Sequence, residues 1–480
     1  MATGPVPARA ASSRVRAATA GLRPLACHSI VGATTHLAGA PGMSSVPRRH
    51  FLAQLGAGAA GLAVAPRLLA AQLPTIEALV AGRARVAPER LAEDEAFWAE
   101  VRRGFDVPEG VVNLDHGNIS PVARDVIEDL VRHVRATQPF PAKRMNELHR
   151  EVDAAVVRPG LARLLGVPAD EVALVRNATE ALDTVLLGVP LRAGDEIVCS
   201  AHDYFAMLDA LEQRRARDGV VLRVVRPPVP LPSVDALAAL YERELGPKTR
   251  LVLVTHPSNL TGQLAPVRRI ADAAHRVGAE VVVDGAQSMA LLPYTLPELG
   301  CDYFGASLHK WLAAPVGGGV LWMRKESAEK VWPLVPPPKG AKGLDRFTWG
   351  GTHPRHVQAA AAPALALHEQ LGTARKAARM RYLTSYWRSR VERLPGVRLY
   401  TTAAPEASCG LATVELGALD PKAVKQALWE QDRIFVQSMT GYDRSPEIRG
   451  IRVTPNVYTS LAELDQFAGA LIRLVRHGIG

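Results

Sequence analysis

Cysteine is scarce in this chain of 480 residues, and its spacing excludes several kinds of site. The four cysteines (27, 199, 301 and 409) stand far apart, with no CxxC pair and no Cys/His cluster of zinc spacing. We therefore predict no metal site and no disulfide framework, with each thiol a small buried hydrophobe. Long apolar runs are also missing, because the Ala/Gly/Leu run after Leu52 is too short and too weakly apolar to span a bilayer stably. We expect no stable membrane anchor.

Acidic residues are absent from residues 1–72, which carry seven arginines. Without these seven charges the formal net charge falls from +10 to +3, so most of the excess positive charge lies in residues 1–72, the leader of the chain. A charge of +3 on the rest of the chain indicates no polyanionic partner, and we predict no nucleic-acid binding. The contents of 48% hydrophobic and 22% charged residues are typical of a soluble globular protein.

Residues 44–71 have the three parts of a signal peptide: a basic start, a short apolar run and small residues near Ala65 and Ala71. The Arg48-Arg49-His50-Phe51-Leu52 core resembles a twin-arginine signal, which export machinery reads to move folded proteins. We expect export by this route after cofactor loading, with cleavage near Ala65 or Ala71. Translation starts at Met1 or Met43, and the position of the arginine pair favours Met43. The alternative is a basic start without an export role.

The remaining chain is predicted to contain a helical segment (73–110), a large domain (111–356) and a linking helix with a small domain (357–480). In the large domain, short apolar runs alternate with amphipathic helices, which is typical of an α/β fold whose largely parallel sheet is covered on both faces. Its seven strands are predicted at residues 172–175, 196–199, 220–225, 251–255, 280–284, 303–306 and 320–323. The small α+β domain is predicted to have strands at 411–416, 434–437 and 451–454, and helices at 421–432 and 461–478.

Asp284 and Lys310 give the strongest functional signal. Asp284 ends an apolar run of three valines, and Lys310 follows 26 positions later in Ser307-Leu308-His309-Lys310-Trp311. A lysine amine can form a Schiff base with an aldehyde cofactor. A carboxylate beside a ring nitrogen keeps that nitrogen protonated, so that the ring can accept electrons. Either residue alone is a weak signal, because many strands end in Asp and most lysines are solvated. The pair at this spacing favours a pyridoxal-phosphate enzyme.

The segments Asp284-Gly285-Ala286-Gln287 and Ser307-Leu308-His309-Lys310 resemble the paired signature of the class V aminotransferase family, fold type I of the pyridoxal-phosphate enzymes. The resemblance runs from about Asn113 to the C-terminus and is closest to isopenicillin N epimerase-like members. It implies pyridoxal 5'-phosphate as cofactor, Lys310 as the Schiff-base residue, Asp284 at the ring nitrogen and an amino acid as substrate.

The phosphate of the cofactor needs hydroxyls, backbone donors and preferably a helix N-terminus. Ala178 and Thr179 supply that set directly after a predicted strand, and the family has a similar small-residue/Thr motif at this place. Thr179 is also compatible with a plain helix cap. The resemblance further implies phosphate contacts for Ser307 and His309.

Four residues are implied to contact the ring of the cofactor or its substituents. In the family, a ring from the segment after the second strand stacks on the pyridine face, and His202 and Tyr204 are both candidates here. Asn259 matches a Ser-Asn-x-x-Gly turn whose Asn approaches the cofactor. Gln287 matches the residue that hydrogen-bonds the phenolic oxygen.

Three further residues are implied to serve the partner subunit or the substrate. Thr352, in Gly350-Gly351-Thr352, resembles a Gly-Thr motif that reaches the partner's phosphate, which implies a homodimer with shared active sites. Arg452 matches an arginine that binds the substrate α-carboxylate, a bidentate role that lysine fills poorly. Asn118 lies in a Gly/Asn turn like one that runs beside the substrate in the family, although a simple turn explains it equally well.

The sequence favours some reactions and leaves others open. Cysteine desulfurases need a mobile nucleophilic Cys before the carboxylate-binding arginine, and residues 435–449 contain none. Transamination is the leading expectation; epimerisation and β- or γ-elimination remain alternatives, as does an exported protein that binds the cofactor without catalysis. Epimerisation needs a second acid/base opposite Lys310, for which His202 and Tyr204 are the candidates. The sequence does not identify the amino acid.

Overall fold

The computed structural model describes residues 76–402 and 404–479, so the predicted twin-arginine signal and its cleavage sites lie outside the described residues. The first described segment, predicted to be helical, contains three short helices, α1 (Ile76–Ala81), α2 (Pro88–Leu91) and α3 (Glu95–Arg102). The α3 helix begins after Asp94, whose side chain accepts a hydrogen bond from the Phe97 N–H, an N-cap of the ordinary kind.

A seven-stranded sheet forms the centre of the large domain. Its strands are β2 (Val172–Val175), β3 (Glu196–Ser200), β4 (Val221–Val225), β5 (Thr249–Thr255), β6 (Glu280–Asp284), β7 (Tyr303–Ser307) and β8 (Gly319–Met323). They lie in the order β2-β8-β7-β6-β5-β3-β4, and only β8 runs antiparallel to its neighbours. The predicted mostly parallel sheet is confirmed, and each predicted strand lies within two residues of the observed bounds.

Helices cover both faces of this sheet, as the nearly continuous Val/Leu/Ile strands require. The helices of the large domain are α4 (Arg124–Thr137), α5 (Pro141–Leu148), α6 (Arg158–Leu165), α7 (Ala178–Gly188), α8 (Phe205–Asp218), α9 (Val234–Glu244), α10 (Val267–Arg276), α11 (Leu296–Leu299) and α12 (Lys325–Ala328). A π-helix (His149–Val157) and two 3₁₀ helices (Ala169–Glu171 and Gly343–Phe347) complete this part. The core residues form two clusters, one on each side of the sheet.

The region predicted as one long linking helix contains three, α13 (Arg355–Ala359), α14 (Ala361–Leu371) and α15 (Thr373–Val391). Gly372, between the last two helices, has φ +79°, a backbone conformation that favours glycine. The sequence alone did not predict that the helix ends at this glycine. No helix in residues 76–402 and 404–479 is long and apolar enough to cross a membrane.

The small C-terminal domain has a four-stranded antiparallel sheet, in the order β12 (Gln437–Met439), β13 (Gly450–Val453), β10 (Ala412–Leu416) and β9 (Val397–Leu399). A separate strand pair joins β1 (Val112–Asn113) to β11 (Ile434–Phe435). The helices are α16 (Pro421–Asp432) and α17 (Leu461–His477), with a 3₁₀ turn at Pro405–Ala407. Strand β1 pairs in parallel with β11, and Val112 belongs to the hydrophobic core of the small domain. The chain therefore contributes a strand to the small domain before it forms the large one.

Candidate active site

Asp284 and Lys310 line one cavity of about 200 Å³ at the carboxyl ends of the parallel strands. Asp284 is the last residue of β6 and is 3% exposed, and its Oδ1 accepts a hydrogen bond of 3.0 Å from the Ala286 N–H. Burial raises the pKa of Asp284, and the charge of Lys310 opposes this rise. Lys310 lies three residues after β7, and burial lowers its pKa to about 8, against the opposing charge of Asp284. Lys310 can therefore lose its proton near neutral pH, as a Schiff-base amine must.

The N-terminus of helix α7 points into the same cavity with the groups that a phosphate requires. The Ala178 N–H donates to Ser307 Oγ over 2.8 Å, which leaves the hydroxyl hydrogen of Ser307 free to donate to a ligand. The N–H of Thr179, at the second position of the helix, has no acceptor within the helix. Asn177 caps the helix by accepting the Glu180 N–H over 2.9 Å. Ala178, Thr179, Ser307 and His309 therefore lie together, as predicted for a phosphate site, and the helix dipole favours an anion there.

The side of the cavity next to Lys310 contains a buried polar atom without a partner. The Nδ1 of His309 has no hydrogen-bond partner within the described residues. Burial, followed by the charge of Lys310, lowers the pKa of His309 to about 4, so its ring is neutral. A neutral imidazole, two hydroxyls and helix N–H groups form a donor set that fits a phosphate ester.

Tyr204 and His202, the two candidates for the stacking ring, are separated by the structure. Tyr204 lines the cofactor cavity, but His202 does not. The His202 ring lies in a neighbouring buried space, with its Nε2 2.7 Å from Glu447 Oε1. Burial lowers the pKa of His202, and the bond to Glu447 opposes that shift. Of the two candidates, only Tyr204 lines the cavity that contains Asp284 and Lys310, and the stacking of either ring on the cofactor stays a prediction.

Gln287 and Asn259 both line the cavity, but the side-chain amide of Gln287 is hydrogen-bonded and the side-chain oxygen of Asn259 is not. The Nε2 of Gln287 donates to the Gly117 carbonyl over 2.8 Å, and its Oε1 accepts the Trp311 indole N–H over 3.0 Å. These bonds fix the amide and leave one N–H of Gln287 available. The side-chain Oδ1 of Asn259 is buried and has no partner in the described part of the chain. Both residues are available to the substituents of a pyridine ring.

Arg452 is held by Asp115, a residue that the sequence analysis missed. Nη2 of Arg452 lies 2.8 Å from Asp115 Oδ1, and Nη1 donates to the Asn259 carbonyl over 3.2 Å. Asp115 is 4% exposed and Arg452 is 6% exposed, and the Nε of Arg452 has no partner among the residues described. A carboxylate partner offsets the cost of burying a guanidinium. The sequence signal for this partner was Asp115 itself, an acidic residue two positions before Gly117.

A second cavity of about 620 Å³ adjoins the first and shares Asn118, Tyr204, Asn259 and Arg452 with it. Beyond the shared residues its wall includes apolar side chains of helix α8 and polar side chains of residues 440–449, the loop between β12 and β13. Arg452 and Asn259 therefore belong to the walls of both cavities.

The β12–β13 loop, which forms part of the outer wall, is bonded to the large domain. Ser445 is fully buried, and its hydroxyl donates to the Ala201 carbonyl over 2.6 Å. Arg226 donates to the Arg444 carbonyl over 3.0 Å, and Glu447 binds His202. Each of these bonds joins two residues that are more than two hundred positions apart in the sequence, so hydrophobic periodicity and local motifs could not have predicted them.

Thr352 lies outside the cavity of its own chain. It is exposed on the segment between the 3₁₀ helix Gly343–Phe347 and α13, and it does not line either cavity. The contact with a partner subunit that was inferred for it stays a prediction.

The described residues offer neither a thiol at the site nor a metal cluster. Cys199, Cys301 and Cys409 are buried and unpaired, burial raises the pKa of each thiol, and none lines the two cavities within the described chain. No group of three His, Cys, Asp or Glu side chains in residues 76–402 and 404–479 is arranged to hold a metal ion.

The chain is similar to several known proteins. Residues 112–466 match the family described as aminotransferase class V. An isopenicillin N epimerase of Streptomyces clavuligerus is 32% identical over 397 residues, which cover 78% of this chain and 98% of that protein. A probable cysteine desulfurase of Mycolicibacterium paratuberculosis (strain ATCC BAA-968 / K-10) is 31% identical over 349 residues, 67% of this chain and 49% of that protein.

The fold also matches a solved structure that carries the cofactor. The structure of a C-DES variant, with glycine covalently linked to its pyridoxal-phosphate cofactor, superposes with a TM-score of 0.68 at 25% identity. The alignment covers 77% of this chain and 98% of that one. Together with a cavity that fits a phosphate, a pyridine ring and a Schiff-base lysine, these matches establish that the chain belongs to the class V aminotransferase family of pyridoxal-phosphate enzymes.

Proposed function

We propose that this enzyme inverts the α-carbon of a large amino acid, an epimerisation in which two protein groups exchange protons with the substrate. The observation that carries the proposal is the set of ionisable side chains lining the cofactor cavity: Tyr204, Asp284, His309, Lys310 and Arg452. Asp284 serves the ring nitrogen, His309 the phosphate and Arg452 the substrate carboxylate. Lys310 and Tyr204 therefore remain as proton carriers.

The pKa values of the two carriers suit opposite roles. Burial lowers the pKa of Lys310 to about 8, so its amine can accept the α-proton. Burial raises the pKa of Tyr204, so its phenol holds a proton that it can donate to the α-carbon. When bound, pyridoxal phosphate supplies an aldehyde that links to the substrate amine and a ring that withdraws electrons from the α-carbon. Transamination needs only Lys310, and for that reason a second carrier favours epimerisation.

The size of the outer cavity supports a substrate larger than the common amino acids. With Arg452 at the α-carboxylate, the outer cavity of about 620 Å³ that Arg452 also lines is open to the side chain, and Tyr442 and Arg444 present polar groups to it. The relatives named isopenicillin N epimerase, aligned over nearly their whole length, support the same reaction class.

The test is to incubate the holoenzyme in D₂O with a panel of L-amino acids and amino-acid derivatives with extended polar side chains. Chiral chromatography with mass spectrometry would detect inverted product carrying one α-deuterium. Tyr204→Phe should still exchange the α-hydrogen through Lys310 but lose inversion by about a hundredfold, the usual value of one positioned acid. Accumulation of a keto acid without inversion would show transamination instead, and release of ammonia with side-chain loss would show elimination.

We also propose that the enzyme is a homodimer with Thr352 at the partner's phosphate. Phe140 is 70% exposed, Val316 is 59% exposed and Trp349 is 45% exposed, and a second copy could cover such apolar side chains. Sedimentation would give the mass. Mixing the inactive variants Lys310→Ala and Thr352→Arg should restore part of the activity, because one site of the mixed dimer has both of its groups intact. No recovery despite verified subunit exchange would place Thr352 elsewhere.

Export by the twin-arginine route completes the proposal. The paired arginines support it, because a receptor reads their identity and not only their charge. In a host with a working twin-arginine system, wild type should leave the cytoplasm. The double variant Arg48→Lys/Arg49→Lys should stay inside with its cofactor bound. Equal export of both proteins would contradict the twin-arginine reading.

A further inference from the structure

Lys376 is a buried lysine beside the segment that carries Lys310. It lies on helix α15 and is 7% exposed, and its Nζ donates to the Trp311 carbonyl over 2.5 Å. Its other neighbour is Nδ1 of His368, at 3.2 Å. Within the described ranges no carboxylate pairs with it, so its charge is compensated only by neutral acceptors. A buried lysine in such surroundings is costly and requires a structural or functional reason.

The state of His368 is consistent with an accepting role. Its Nε2 lies 3.0 Å from Thr373 Oγ1, and burial followed by the charge of Lys376 holds the pKa of His368 well below its usual range. The neutral ring can donate from Nε2 to Thr373 and accept from Lys376 at Nδ1. Burial likewise lowers the pKa of Lys376 to about 7, but an amine donates a hydrogen bond in both protonation states.

Trp311, the residue after Lys310, is fixed from two sides. Lys376 holds its carbonyl, and its indole N–H donates to Gln287, which lines the cofactor cavity. The turn that follows is strained, because Ala313 has φ +56°, a left-handed conformation that costs about 1 kcal/mol for a residue with a Cβ. The Ala313 N–H bonds back to the Lys310 carbonyl over 3.1 Å. A strained turn next to the reactive lysine requires outside contacts to hold it.

We propose that Lys376 is a positioning residue for the cofactor site. By holding the Trp311 carbonyl it fixes the backbone after Lys310, and through the Trp311 indole it fixes the amide of Gln287. The Lys310 amine and the Gln287 amide are thereby directed at the same ligand. The role does not depend on which reaction the enzyme catalyses, since every reaction of the family uses the bound cofactor.

The test compares Lys376→Met with Arg388→Met. Arg388 lies on the same helix, is also 7% exposed and donates to a backbone carbonyl, Thr402 O, but away from the cofactor. The measurements are the Kd of the cofactor-free protein for pyridoxal phosphate, the pH midpoint of the absorbance of the bound cofactor, and Tm. Lys376→Met should weaken cofactor affinity about tenfold, or roughly 1.4 kcal/mol, and move the midpoint. Arg388→Met should lower Tm and leave both cofactor readouts unchanged.

Lys376→Gln supplies the conservative variant. It keeps an N–H donor on a shorter side chain, so its affinity for pyridoxal phosphate should lie between wild type and Lys376→Met; it also decides the question if the methionine variant does not fold. Unchanged affinity and pH midpoint in a folded Lys376 variant would overturn the proposal. Equal shifts in the Lys376 and Arg388 variants would do so too, because they would indicate general destabilisation.

Discussion

The inner cofactor cavity and the outer cavity are built in different ways. The inner one is lined mainly by residues at the ends of parallel strands and at one helix N-terminus, such as Asp284, Ser307 and Ala178. The outer one is closed by the β12–β13 loop of the small domain, bonded to segments that follow β3 and β4. Under the proposed function, the strand ends and the helix N-terminus supply the reacting groups, and contacts between distant segments shape the space for the substrate side chain.

The largest effect is expected in the inner cavity. Lys310→Ala removes both the cofactor link and the main proton acceptor, so turnover should fall by at least about a thousandfold, within the range for covalent and general-base groups. Steady-state assays and borohydride reduction followed by peptide mapping would measure it, with Lys339→Ala on the exposed loop as control. Full activity in Lys310→Ala would contradict the role of Lys310 as the residue that links the cofactor and accepts the proton.

Arg452 stands where the two cavities meet and should show a smaller effect, mostly on KM. Arg452→Lys loses the two-pronged contact to a carboxylate, and KM should rise about tenfold, roughly 1.4 kcal/mol. Asp115→Asn keeps the shape but removes the charge that orients Arg452, so KM should rise less than in Arg452→Lys. If neither variant changes KM, Arg452 is a structural ion-pair residue.

The β12–β13 loop should affect recognition only. Glu447→Gln replaces the anionic acceptor of the His202 contact with a neutral one, and Ser445→Ala removes the bond to Ala201. Each should raise KM by about threefold, the value of roughly one hydrogen bond, with kcat nearly constant. Glu406→Gln, at a 3₁₀ turn away from both cavities, is the control. A fall in kcat with constant KM would show that the loop takes part in chemistry.

The smallest effect concerns pH. Because burial lowers the pKa of Lys310 to about 8, capture of pyridoxal phosphate by the cofactor-free protein should accelerate as pH rises through that value. Asp284 opposes the shift by favouring the ammonium form. In Asp284→Asn that opposition is lost, so the midpoint should move to lower pH. Stopped-flow absorbance would measure it, and a midpoint that stays constant or rises would contradict the inferred coupling.

Most of the fold could be predicted from the sequence, because buried parallel strands are continuous apolar runs and their carboxyl ends share one edge. Asp284 and Lys310 were predicted to share a site from their chemistry and spacing, and Ser307 and Thr179 from the phosphate motif and the family resemblance; the structure brings all four together. Strand β9 (Val397–Leu399) was missed, since three partly exposed residues carry no clear alternation. The roles of Asp115 and Lys376 and the bond between His202 and Glu447 were not predicted. They arise from contacts between residues far apart in the sequence, which a local sequence pattern does not show.

The most direct test is a matched pair of tyrosine variants, Tyr204→Phe and Tyr442→Phe, measured on one accepted substrate for kcat, KM and α-carbon inversion. Both lose a single hydroxyl, but Tyr204 lines the inner cavity as well as the outer one, and Tyr442 lines the outer one alone within the described residues. We predict that Tyr204→Phe lowers the kcat of inversion by about a hundredfold with little change in KM, and that Tyr442→Phe raises KM with little change in kcat. The same response from both variants would contradict the division between chemistry and recognition.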